Sequence, residues 1–81
     1  MQQHNGYWIS GTAVPGPPYT TYWESMGTVL RSGRSGSVVE VGRIQDSGET
    51  FEMKELAAIW GMELARIVVD ECLSQSPQPR Q

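Results

Sequence analysis

Between Tyr7 and about Leu73 lie nearly all the apolar residues of the chain, and their spacing changes once along the way. The first half reads as short β runs. Tyr7-Trp8-Ile9-Ser10-Gly11-Thr12-Ala13-Val14 is aromatic and β-branched, and it stops at Pro15-Gly16-Pro17-Pro18. Prolines lack the N–H that a strand ladder needs, so that stretch is a connection. Tyr19 to Leu30 resumes the β composition, with Tyr22, Met26 and Leu30 on one parity and Trp23 and Val29 on the other. Arg31-Ser32-Gly33-Arg34-Ser35-Gly36-Ser37 is a loop by its glycine and serine content. Val38 to Ile44 is a third strand, ended by the turn-forming Asp46-Ser47-Gly48.

From Met53 the period lengthens. Met53, Leu56, Ala57, Trp60, Leu64, Ile67, Val68 and Cys72 recur at intervals of three and four, the spacing of one helix face. Glu49, Glu52 and Glu55 gather where a helix dipole favours negative charge, and Thr50 is the expected N-cap. The pattern predicts a helix from about Met53 to Leu73, about 30 Å long at about 1.5 Å per residue. Gly61 in its middle costs about 1 kcal/mol against alanine and marks a close approach to the sheet, a slight kink or a hinge.

Short loops between consecutive strands favour antiparallel pairing. The fold class is therefore α+β: a three-stranded antiparallel meander packed on one C-terminal helix, in the order β-β-β-α. Met1 to Gly6 reads as a flexible N-terminus, 7–73 as a single domain, and 74–81 as a disordered tail with two prolines and no apolar side chain. One helix about 10 Å wide covers only one face of three strands. Yet large apolar groups occur on both parities of every strand, where a sheet with one wet face alternates. Either a bulge at Gly11, Gly27 or Gly42 shifts the parity, or a second face is buried against a partner, most simply another copy of the chain. Trp8, Trp23, Val29 and Val38 are the residues expected at that interface.

Composition narrows the class. Eighty-one residues make one small domain, and 38% hydrophobic content with three Trp and three Tyr is not that of a disordered chain. No apolar run approaches the roughly 18 residues of a membrane span, and the N-terminus lacks the pattern of a signal peptide. A single cysteine forms no internal disulfide, which points to a cytoplasmic protein. Cys72, in the last helical turn, reads as a small core residue, because a helix C-terminus does not activate a thiol. His4 is the only histidine, and no spacing of zinc or calcium type occurs, so no cofactor or metal is expected. With no catalytic constellation the chain reads as a non-enzyme.

The net charge of −3 disfavours nucleic acid, but it is unevenly spread. Arg31, Arg34 and Arg43 are half of the six basic residues, and they flank Gly33-Arg34-Ser35-Gly36. That Gly-x-x-Gly is similar to the backbone clamp of KH domains, although the clamp joins helices and this loop joins strands. Gly33, Gly36 and the three arginines are thus candidate nucleic-acid or anion contacts. Pro17-Pro18-Tyr19 lacks the spacer of a WW-domain ligand and reads as a stiff loop.

Phe51-Glu52-Met53-Lys54-Glu55-Leu56-Ala57, followed by Gly61 and Ala65-Arg66, resembles small proteobacterial β-β-β-α domains of unknown function, whose helix reads x-E-x-A-x-x-x-G-x-x-x-A-R. The layout also resembles the three-stranded DNA-binding arm of tyrosine integrases, although Met53 stands where Ser or Thr caps the helix and the strands lack a run of Lys and Arg. The first resemblance implies the fold and no activity. The expected function is a non-enzymatic interaction or structural module, self-associating through its sheet as a homodimer or meeting another protein. The alternative is a nucleic-acid-binding accessory protein using the basic hairpin.

Overall fold

The computed structural model describes residues 1–73; the expected tail lies outside them. Four strands, not three, form one antiparallel sheet in sequence order: β1 (Gln2–His4), β2 (Tyr7–Pro15), β3 (Trp23–Ser32) and β4 (Val38–Phe51). The helix α1 (Lys54–Val68) follows and continues as a π-helical turn over Val69–Leu73.

The added strand falls in the segment expected to be flexible. Gln2 to His4 pair with Ile9 to Tyr7 around Asn5-Gly6, whose φ values of 50° and 87° build a tight hairpin turn. An Asn-Gly pair supplies those positive angles at least cost. β4 also overruns its expected end. Asp46 does organise a local turn, accepting the Gly48 N–H at 2.9 Å, but the strand resumes beyond it and Phe51 pairs with Trp23. The turn survives as an irregularity in the ladder rather than as a chain reversal.

The helix buries small residues. Ala57, Gly61 and Ala65 face the sheet, followed by Val69, and beneath them lie Gly11 and Gly27. A Cβ added to Gly61 would stand 2.4 Å from the Met26 carbonyl oxygen, and one on Gly27 2.3 Å from the Gly61 carbonyl oxygen. Helix and sheet thus meet backbone to backbone, which settles Gly61 as a close approach. Leu56 and Ile67, expected on the inner face, are too large for that contact and lie exposed. The helix starts at Met53 with no side-chain cap, not at Thr50, which belongs to β4.

The core of Ile9, Val29, Ala65 and Val69 sits toward the C-terminal end of α1, with Tyr7, Val41, Met62, Val68 and Leu73 packed around it. Two polar ties fix the helix. At its middle Trp60 Nε1 donates to Asp46 Oδ2 at 3.0 Å, holding α1 to β4. Just past its C-terminal end Asp70 meets His4 Nε2 at 2.7 Å, accepts from Asn5 at 3.0 Å and from Arg66 at 2.9 Å, which holds β1 to the helix. His4 is therefore anchored, not frayed, and Cys72 is exposed rather than a core residue.

Candidate interaction surface

Register determines which side of the sheet each residue occupies. Ile9, Val29 and Ser25 are buried under α1, so the residues opposite them share that side. The other side carries the cross-strand rows Trp8–Leu30–Glu40, Ser10–Thr28–Arg43 and Thr12–Met26–Gln45. No element covers that side among the described residues. Trp8, Val14, Met26 and Leu30 stand half-buried on it among Ser, Thr and charged groups.

Of the four residues expected at an interface, Trp8 and Val38 fall on the open side, Val38 being 49% exposed and opposite Ser32. Trp23 and Val29 do not. Val29 is 1% exposed in the core, and Trp23, on the same parity, faces the helix side opposite Phe51. The parity of β3 was legible, but which parity the helix covers depends on Gly27, the one site in that strand that admits a helix backbone.

The basic cluster is not assembled. Arg31 lies opposite Val39 on the helix-side parity, whereas Arg43 lies opposite Thr28 on the open side. Arg43 Nη2 donates to Glu40 Oε1 at 2.8 Å, a contact that raises the arginine pKa further. In the hairpin between β3 and β4, Gly33 N–H donates to Ser37 O at 2.7 Å and Ser37 N–H to Arg34 O at 3.2 Å. Those two bonds close the turn and occupy the Gly33 amide. Arg34 occupies the tip, exposed.

Carboxylates are placed for structure. Asp46 is held below the usual aspartate range by the Trp60 indole N–H and then the Gly48 amide. Asp70 is lowered chiefly by its bond with His4, and Glu63 by its bond with Arg66. Two shallow grooves flank the helix, one of about 360 Å³ lined by Gly11, Ala58, Ile59, Met62 and Glu63, the other of about 320 Å³ lined by Glu49, Phe51 and Trp60. Among the described residues no three His, Cys, Asp or Glu are grouped to hold a metal, and no helix is long and apolar enough to cross a membrane.

A second apolar surface was missed. Met53, Leu56, Ile59 and Ile67 project from the outer side of the helix, Ile59 being 66% exposed. The sequence signal was the Ala57, Gly61, Ala65 spacing, which competes with the larger residues for the inner face. Compared with known proteins, the chain matches no protein-family model, no curated protein and no solved structure.

Proposed function

We propose that the protein is a non-enzymatic interaction module that self-associates through its sheet. The observation that carries this reading is the uncovered side of the sheet, with Trp8, Leu30, Met26 and Val14 on it. Energetics support it. Among the described residues only Ile9, Val29 and Val69 are large, apolar and fully buried. At about 1.5–3 kcal/mol each they contribute about 5–9 kcal/mol, modest for a small domain that must also offset the entropy of ordering its chain. Small domains add staples or subunits, and this one has no disulfide. A second copy would supply the missing burial. Sedimentation equilibrium across a concentration series tests it: a concentration-dependent dimer is expected, and a monomer at several hundred micromolar overturns the reading.

A further inference from the structure

β4 is a border of the sheet, and its outward side has no neighbour among the described residues. Against β3, Val29 pairs with Gly42 and Leu30 with Glu40, so Val41 is an extra residue, a β-bulge. Val41 packs against the core, and a Cβ on Gly42 would touch Val29 and Val68, so both face the helix. Glu40 and Arg43 consequently share the open side despite their odd separation.

Backbone direction follows from the same ladder. Gly16 N–H donates to Tyr22 O, and the β2–β3 register runs unbroken. By antiparallel alternation, the even residues of β3 turn their N–H and C=O toward β2, and the odd ones, Val29 included, toward β4. The β4 residues opposite even partners therefore turn outward: Val38, Glu40, Arg43 and Gln45.

We propose that this edge pairs antiparallel with the same edge of a second copy of the chain, about a two-fold axis between Val41 and Gly42. The proposal rests on the self-association reading for the existence of a dimer, and it places the contact at the β4 edge, with its register and recognising charges, rather than on the open side, which stays uncovered in this arrangement. A bulge ordinarily blunts an edge, because a regular strand cannot follow it. A copy turned through the two-fold brings the same irregularity to the same place. Glu40 then lies opposite the partner's Arg43, Arg43 opposite the partner's Glu40, Val38 opposite the partner's Gln45 and Val39 opposite the partner's Ile44. All four outward backbone positions face outward positions of the copy. Opposite charges across strands stabilise a pair and like charges destabilise it. Slipping the register by one or two residues sets an open-side residue against a helix-side one. Centring it on Glu40 or on Arg43 sets like charges together. A two-fold normal to the sheet keeps both helices on one side and joins two four-stranded sheets into one.

Charge complementation tests this register. Glu40→Arg alone sets an arginine against the partner's Arg43, and Arg43→Glu alone sets a glutamate against the partner's Glu40. Each variant is expected to dissociate at least about tenfold more readily than the unchanged chain. A one-to-one mixture restores opposite-charge pairing and is expected to recover a heterodimer near the original affinity, an outcome that the Glu40–Arg43 contact within one chain does not produce. Circular dichroism verifies that each variant is folded. As a second measurement, Val39→Cys with Ile44→Cys in a Cys72→Ser background is expected to give a disulfide-linked dimer under mild oxidation, and neither single cysteine substitution is expected to do so. Variants that dimerise undiminished, or a mixture that recovers nothing, overturn the β4 pairing while leaving self-association through another part of the sheet standing. An unchanged chain that stays monomeric overturns both.

Discussion

Replacing Gly61 with alanine sets two effects of opposite sign against each other, and the geometry decides between them. Alanine is the better helix former by about 1 kcal/mol, so an unconstrained site would gain. Here the new Cβ meets the Met26 carbonyl oxygen at 2.4 Å, the Met26 carbonyl carbon at 2.9 Å and the Gly11 Cα at 3.2 Å. These are backbone atoms of the sheet and cannot rotate away. Relief requires the helix to rise by roughly 1 Å, and a gap of that size forfeits about a quarter to a half of each contact beneath it. The burial lost from Ile9, Val29 and Val69 is then about 2 kcal/mol, with overpacking strain of about 1–3 kcal/mol beside it. After the propensity gain the net is a destabilisation of about 2–4 kcal/mol. For a domain of this size each kcal/mol moves the Tm by about 4–8 °C, so a fall of about 8–32 °C is expected by circular dichroism. Gly48→Ala is the control: its nearest neighbour is 3.4 Å away at a side-chain oxygen, and a Tm change of only a few degrees is expected. A Gly61→Ala protein that melts at or above the parent temperature refutes the backbone contact.

Two further outcomes follow from polar groups. Ser25 is fully buried and its Oγ has no partner, so Ser25→Ala removes an uncompensated polar atom and is expected to raise the unfolding free energy by about 1 kcal/mol in urea titration; a loss would mean the hydroxyl is satisfied. Asp46 and Asp70 have folded-state pKa values below their unfolded ones, so their stabilisation is full above the ordinary carboxylate range and drains away as pH falls through it, below about pH 4. Asp46→Asn is therefore expected to lower the Tm at pH 7 and to flatten its decline between about pH 5 and pH 2; an unchanged slope contradicts the Trp60 tie.

What was legible in the sequence tracks how local the cause is. The composition of β2 and β3, the proline stop between them and the helical period after Met53 are local, and the corresponding elements are present. The Asn5-Gly6 turn was legible too, but the polar residues around it masked a strand that is held by pairing with β2 and by the His4–Asp70 bond. Other features depend on partners distant in sequence. The apolar moment of α1 points to Leu56 and Ile67, but Gly11 and Gly27 select Ala57, Gly61 and Ala65 for the inner face. Closeness in sequence grouped Arg31 with Arg43, and the Val41 bulge sets them on opposite sides of the sheet. Asp46-Ser47-Gly48 kept its turn chemistry, yet Phe51 found Trp23 and drew the strand onward.

The order in which the parts appear has its own consequence. Gly11 and Gly27 line a trench in the sheet that the helix backbone from Ala58 to Ala65 fills, and His4 finds its anchor at Asp70, 66 positions away. A chain emerging from its N-terminus completes the whole meander before either contact is available. Until α1 arrives, the sheet has an open trench on one side, a first strand held only by its pairing with β2, and two apolar surfaces. Closure by contacts of such long span is slow compared with local pairing. The last element made is thus the latch of the first, and the interval before it shuts is when this chain is most exposed to capture by others.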